Sequence, residues 1–287
     1  MNSLPLSGSQ HCASKHFARN IRTMSDSALA TFVGEMSAAL LEARATRVAI
    51  APLTDAHPKL SIADAYAIAK HGVEVDVSAG ARVVGQKIGL TAVAVQEQLG
   101  VDSPDYGTLL STMEIEDGGT LRLDEYVAPR VELEIAFRLG KSIRGPGVTA
   151  EDVRAATASV HPAIEVVDSR ISDWRIKLAD TVADRASSAA FVVGSQSLAV
   201  DQIDLTDIAV ELRRNGEVVE SGSSRAVLGD PAVAVVWLAN ALGELGETLD
   251  AGAIVLSGAC TRMVTIAPGD EYTATYGDLG ELSLAVS

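Results

Sequence analysis

The sequence predicts an α+β fold in which a mixed, rolled or sandwiched sheet carries a helical N-terminal portion. Three observations lead there. Apolar residues recur at helical spacing through the first 80 positions, short strand-like runs replace them after Arg82, and Asn215-Gly216 sits between two such runs as a two-residue hairpin signal.

Ser25 or Asp26 can cap a first helix, in which Leu29, Phe32, Val33, Met36 and Leu40 follow the 3.6-residue period. Ser61 with Asp64 resembles a capping box and opens a second helix through Ala65, Ile68 and Val73 to about residue 77. Between them, Ala51-Pro52-Leu53 and Pro58 read as an extended connection. Strand character begins at Arg82–Leu90, followed by a short helix over 92–99 closed by Gly100. Residues 131–139, 163–167, 190–193, 208–213 and 253–256 are further strand candidates. Two helices interrupt them. One spans 149–158 with Thr149 and Asp152 at its start, and the other spans 231–242 with Pro231 in its first turn. The chain ends in β structure at 263–266, 272–276 and 282–286, with a Pro268-Gly269-Asp270 turn. The organisation predicted is a disordered extension over 1–24, a helical portion over 25–80, and a β-roll catalytic domain over 81–287.

The 287 residues include 23 basic and 38 acidic side chains, a net charge of −15. The first 24 residues carry Lys15, Arg19 and Arg22 and no acid, leaving the remainder at −18. That charge excludes a phosphate backbone as partner, so no nucleic acid is expected. The N-terminal stretch lacks the continuous apolar segment of a secretory signal. The longest apolar stretch, from Pro231 to Leu242, is too short to span a bilayer, so no membrane partner is expected either. Two cysteines, Cys12 and Cys260, make no disulfide framework. These features predict a soluble cytoplasmic protein.

The chemistry concentrates in Pro129-Arg-Val-Glu-Leu-Glu-Ile-Ala-Phe137. Glu132 and Glu134 stand two residues apart on a strand and point to one face, about 7 Å apart along the chain. Alternation by itself reads as a solvated acidic face, with Val131, Leu133 and Ile135 turned inward. A second strand changes the reading, because Glu165 lies between Ala163-Ile164 and Val166-Val167. A carboxylate among apolar neighbours is costly unless it is paired or metal-bound. Three carboxylates form an all-oxygen set suited to Mg²⁺ or Mn²⁺ rather than zinc; an arginine salt bridge is the alternative for Glu165. Asp168, three residues on, faces the other way and is either a further ligand or a hydrogen-bonding support.

Lys87, one of only six lysines, lies in a glycine-flanked strand, Val84-Gly-Gln-Lys-Ile-Gly-Leu90. It is either a buried cation for a carboxylate or enolate, or an ordinary lysine reaching along the sheet to water. Asp105 in Ser103-Pro-Asp-Tyr-Gly107 is a proton relay or a turn residue, and Ser187 after Asp184-Arg-Ala is a carboxylate partner or a cap. Ser257-Gly258-Ala259 ends a strand at a plausible substrate rim. No Gly-x-Ser-x-Gly elbow is present and Cys260 has no evident histidine partner. His161 is the one histidine near the presumed chemistry, with a structural strand-end role as the competing reading.

Val84–Thr91, Gln98–Gly107, Val131–Phe137 and Ala163–Arg170, taken in order, together with Ile50–Thr54 and Ser257–Ala259, resemble the 2-hydroxypenta-2,4-dienoate (2-keto-4-pentenoate) hydratases of aromatic and steroid ring degradation, within the fumarylacetoacetate hydrolase superfamily. The likeness runs from about Ser25 to the C-terminus. It implies a mixed β-roll of the superfamily's C-terminal-domain type, a homo-oligomer, and Mg²⁺ or Mn²⁺ held by Glu132, Glu134 and Glu165. Lys87 and Asp105 match catalytic positions, while Ser187, Ser257 and Gly258 match substrate-binding ones. The implied substrate is a small anionic 2-oxo or 2-hydroxy-dienoate, hydrated to 4-hydroxy-2-oxopentanoate, with the downstream aldolase of the pathway as a partner. Arg185 departs from the pattern, which leads one to expect a smaller polar residue such as Asn. The resemblance also admits the sister 2-oxo-3-hexenedioate (4-oxalocrotonate) decarboxylase, more remotely a carbon–carbon hydrolase or an oxaloacetate decarboxylase, and, from another class, a non-catalytic stabilising partner.

Overall fold

The computed structural model describes residues 25–92, 96, 101 and 103–287; the N-terminal extension and most of the helix expected over 92–99 lie outside the described residues. Three helices come first: α1 (Asp26–Thr46), α2 (Leu53–Ala56) and α3 (Ile62–Ser78). Ser25 caps α1 by accepting a hydrogen bond from the Ala28 amide, and Ser61 caps α3 by accepting one from Asp64. The connection read as extended contains the single turn α2. It forms because the Asp180 carboxylate, far along the chain, accepts from the Thr54 amide at 2.9 Å and hydroxyl at 2.8 Å.

The β structure builds two sheets. The larger contains β1 (Val83–Gly89), β2 (Asp105–Leu110), β3 (Glu114–Ile115), β5 (Arg130–Leu139), β6 (Thr157–Val167), β7 (Ser188–Val193), β10 (Ile254–Ala259) and β11 (Val264–Thr265). Its order is β2-β1-β10-β5-β6-β7-β3, with β11 alongside β5. The smaller sheet contains β4 (Thr120–Leu121), β8 (Ala209–Arg214), β9 (Glu217–Ser223), β12 (Glu271–Thr275) and β13 (Glu281–Val286), in the order β4-β13-β12-β8-β9. Parallel β1–β10 and antiparallel β10–β5–β6–β7 pairings make the large sheet mixed. The β8–β9 hairpin turns at Asn215-Gly216 with φ of 54° and 84°, positive at both central positions as its right-handed strand twist requires.

Among the described residues three further α-helices follow: α4 (Ala150–Ala156), α5 (Leu178–Ala183) and α6 (Pro231–Glu244). Helix α4 begins at the Thr149/Asp152 capping box but ends two residues earlier than its pattern suggests, because Thr157 already pairs with β5. Helix α6 buries Ala232, Val235, Leu238, Ala239 and Leu242 in the main core, the place of a globular core helix. Besides the α2 turn, the sequence reading missed β2, the two-residue strands β3 and β4, and α5. Strand β2 was masked by the turn-like Ser-Pro-Asp-Tyr-Gly, and α5 is too short to display a period.

The layering fixes the site. One face of β5, with Leu133, Ile135 and Phe137, packs with Tyr272, Ala274, Leu282 and Leu284 of the small sheet in the main core. The opposite face carries Glu132 and Glu134. A separate apolar cluster joins Val33, Leu40, Ala65 and Ile68 of the helical portion to Ile171, Ala179 and Val182. Through α5 and the turn Arg185–Ser187, both packed on β2, that portion reaches the large sheet.

Candidate active site

Glu132 and Glu165 are direct cross-strand partners in the β5–β6 ladder, and Glu134 follows two residues along the same face. Glu134 and Glu165 are fully buried and Glu132 is 8% exposed, so the solvated acidic face suggested by alternation is not what forms. One carboxylate oxygen from each lies within 4.8 Å of the others. Lys87 Nζ stands 3.2 Å from Glu165 Oε2, near enough for an ion pair but misaligned for a hydrogen bond. It is buried, so the reading of a lysine reaching water is also set aside, as is an arginine partner for Glu165.

Asp105 enters from β2, paired with Gly89 across the β1–β2 ladder. The missing side chain at Gly89 makes room for it: a Cβ there would lie 2.2 Å from Asp105 Oδ1 and 3.3 Å from Lys87 Nζ. Gly258, at φ +118°, donates its amide to Glu134 Oε2 at 2.6 Å, and a Cβ on it would strike Thr91 Oγ1 at 2.3 Å. The Ser257 hydroxyl instead donates to the Ile135 carbonyl at 2.9 Å, tying β10 to β5.

Ser187 closes a run of three left-handed residues, Arg185, Ala186 and Ser187, with φ of 57°, 52° and 54°. Such conformations cost on the order of 1 kcal/mol or more each and persist only where surrounding contacts enforce them. The Ala186 carbonyl accepts from Lys87 Nζ at 3.4 Å, while Ser187 Oγ lies 3.3 Å from Thr181 Oγ1 rather than on a carboxylate. Beside this turn the buried Arg170 donates from Nε to Asp184 Oδ1 at 2.6 Å and from Nη2 to the Asp184 carbonyl at 2.6 Å.

Four buried carboxyl groups around one ammonium set the electrostatics. Burial and then the charge of Glu165 push Glu132 up to about 8, and burial with both neighbouring carboxylates raises Glu134 well above its ordinary range. Asp105 is raised by burial, which outweighs the lowering effect of Lys87. Burial works against the Lys87 charge, but Glu165, Asp105, Glu132 and Glu134 outweigh it and hold the ammonium protonated. Glu134 Oε1 and both Glu165 oxygens have no hydrogen-bond donor. Clustered, donor-starved oxygens of this kind fit a divalent cation, which would replace the missing donors and balance the excess negative charge. Among the described residues this is the group of acidic, histidine or cysteine side chains close enough to hold a metal ion.

Other candidates resolve differently. Asp168 accepts from the Val127 and Ala128 amides at 3.0 and 2.7 Å, fastening the approach to β5 rather than joining the triad. The His161 ring pairs with Ser159 Oγ and the Gly194 carbonyl, a structural role inside β6 rather than at the strand end expected, and burial lowers its pKa. Burial, with the charges of Glu134 and Glu132, pushes the Cys260 thiol up, away from nucleophilic use. Tyr66 of α3 was missed by the sequence reading. Its hydroxyl accepts from the Tyr106 amide at 3.3 Å, its ring stacks on Tyr106, and burial followed by the Asp105 charge raises its pKa. Nothing in the helical pattern marked it; only the packing of α3 over β2 brings it there.

A buried carboxylate triad with a counter-lysine and a further acid, mounted on a rolled mixed sheet, is a set of side chains that could hold a divalent cation in an enzyme site. The chain belongs to the fumarylacetoacetate (FAA) hydrolase family, whose C-terminal domain profile matches residues 63–287. It is 44% identical over 255 residues to the 2-hydroxyhexa-2,4-dienoate hydratase of Comamonas testosteroni, covering 88% of this chain and 97% of that protein. It is also 44% identical over 248 residues to the 2-keto-4-pentenoate hydratase of Paraburkholderia xenovorans, covering 86% and 92% respectively. Among solved structures, 4-oxalocrotonate decarboxylase from Pseudomonas putida, complexed with magnesium and adipate, superposes with a TM-score of 0.89 at 34% identity, covering 93% of this chain and all of that one.

Proposed function

We propose that this protein is a hydratase that adds water to 2-hydroxypenta-2,4-dienoate, giving 4-hydroxy-2-oxopentanoate in the meta-cleavage catabolism of aromatic or steroid rings. The observation that carries the reading is the convergence of Lys87 and Asp105 on the Glu132, Glu134, Glu165 triad, in a chain 44% identical to hydratases over most of its length.

Glu132, Glu134 and Glu165 would hold Mg²⁺ or Mn²⁺, which supplies Lewis acidity towards the substrate's carboxylate and 2-oxygen. The chain's own groups account for the proton traffic. Lys87 keeps a permanent positive charge where negative charge develops on the 2-oxygen as the dienol loses its hydroxyl proton. Asp105, its carboxyl raised by burial, can give a proton to C5 to form the conjugated 2-oxo-3-enoate. The same carboxylate can then take a proton from the water that adds at C4, and a proton taken up from water at C3 replaces the one the dienol hydroxyl released to water, so the sum is the addition of one water molecule. Ser187 and the 257–258 segment would border the substrate. A homo-oligomer, a cytoplasmic location and contact with the aldolase that consumes the product belong to the same reading, as does the division into residues 25–80 and 81–287.

The second reading, 4-oxalocrotonate decarboxylase, is favoured by the close superposition on that enzyme. One assay separates the two. Incubation with 2-hydroxypentadienoate and with 2-oxo-3-hexenedioate, with and without Mg²⁺ or Mn²⁺, should give metal-dependent loss of dienol absorbance and no CO₂. Release of CO₂ from the diacid alone supports the decarboxylase, and inertness towards both supports a non-catalytic partner.

A further inference from the structure

We infer that a single ion pair, Asp76–Arg185, carries the helical N-terminal portion's control over the lysine of the site, making both residues positioning residues. The inference rests on the role proposed for Lys87 and adds to it the part of the chain that holds Lys87 in place.

Arg185 Nη1 lies 2.7 Å from Asp76 Oδ2, and Asp76 is gripped from its other side by Arg44, whose Nη2 and Nη1 reach Oδ1 and Oδ2 at 2.6 and 2.8 Å. Asp76 is near the end of α3 and Arg44 near the end of α1, so the pair of helices presents one fixed carboxylate. Arg185 is buried at 8% exposure and opens the left-handed run 185–187. What that run does is specific. Its middle residue, Ala186, offers its carbonyl to Lys87 Nζ at 3.4 Å. Its first carbonyl, that of Arg185, sits so close to β2 that a Cβ on Gly107 would meet it at 2.4 Å, and Gly107 is the ladder partner of Lys87. The run is anchored towards the sheet by the Asp168 amide, which donates to the Ser187 carbonyl at 2.8 Å. Three non-glycine residues do not hold left-handed geometry unaided, so the enforcing contacts matter. Arg185 supplies the side-chain contact that ties this run to α3.

The test uses the full-length protein and the variants Asp76→Asn, Arg185→Met, Arg185→Lys and the Asp76→Asn/Arg185→Met double. The first readout is kcat and KM on 2-hydroxypentadienoate with Mn²⁺. The second is the ¹³Cε resonance of Lys87 at fixed pH in the metal-free protein, identified by its loss in Lys87→Met. Displacements of about 1 Å at a catalytic group cost on the order of 100-fold, so Asp76→Asn and Arg185→Met should lower kcat by roughly 10- to 100-fold with KM changed less than about threefold. The double variant should be no worse than the poorer single, and Arg185→Lys should recover most of the loss. The Lys87 resonance should move in Asp76→Asn and Arg185→Met while those of the other lysines stay in place. Folded variants with lowered melting temperature but an unmoved Lys87 resonance and unchanged kcat would overturn the inference and leave the pair a structural brace. If the wild type fails to turn over the dienoate, the proposed function falls, and the Lys87 resonance alone still decides the pair. Should Asp76→Asn not fold, Arg44→Met weakens the same grip from the exposed side and is read identically.

Discussion

Lys87 Nζ and Glu165 Oε2 stand 3.2 Å apart with both side chains closed off from water. The pair is not self-sufficient. Breaking such a pair leaves an uncompensated buried charge, and here three further carboxyl groups crowd the same lysine. A divalent cation held as proposed by the triad would balance that excess of negative charge.

Lys87→Met should therefore abolish turnover, with a loss of at least roughly 100-fold in kcat, the lower range for removing a proton-transfer or charge-stabilising group. Steady-state kinetics on the dienoate, alongside circular dichroism to establish folding, checks it. Retained turnover would remove Lys87 from the chemistry.

Metal-free protein should lose stability as pH rises from about 5 to 8. Folded, Glu132 keeps its proton up to about 8, because burial and then Glu165 oppose ionisation. Unfolded, a glutamate ionises near about 4.3. Between those values the folded state binds more protons than the unfolded one, so stability is full at low pH and drains away as pH passes through the folded value. Saturating Mn²⁺ should flatten the trend by displacing those protons. Thermal melts in chelator-treated buffer across the window test this, and a melting temperature that climbs with pH would contradict it.

Glu134→Gln should weaken Mn²⁺ binding by at least about tenfold, since one of three ligand carboxylates becomes a neutral amide. The same change relieves repulsion in the metal-free protein, so its melting temperature above neutral pH should not fall below the wild type's. Calorimetric titration with Mn²⁺ and thermal melts provide the two readings.

Gly89→Ala should cost activity far more than stability. The added methyl would sit 2.2 Å from Asp105 Oδ1, and the movable carboxylate must yield, with a loss on the order of 100-fold in kcat. Urea unfolding measured beside kinetics separates the two effects.

Arg170→Met should destabilise by about 3–5 kcal/mol, because it strands the buried Asp184 carboxylate and leaves the Asp168 and Ser188 carbonyls without their donor. Urea denaturation measures the loss directly.

Much of this was legible in the chain. Capping residues Ser25, Ser61 and Thr149 placed helix starts, Asn215-Gly216 placed a hairpin, and two-residue spacing put Glu132 and Glu134 on one face. An isolated carboxylate in an apolar run singled out Glu165. These are local rules, and the physics behind them acts within a few residues. Period-2 spacing says that two side chains share a face; it does not say whether that face meets water or another layer. Only the packing of the small sheet behind β5, and of α5 and the Arg185–Ser187 turn over β2, decided that both faces are closed off and gathered the three carboxylates into one buried cluster. Pairing with β1 likewise made a strand of the turn-like Asp105 segment, and the stacking of α3 brought Tyr66 to Asp105 and Asp76 to Arg185. Sequence by itself determined which residue types could do the chemistry. Tertiary structure decided which of them meet, because cross-strand register and layer contacts join residues dozens of positions apart, beyond the reach of any local pattern.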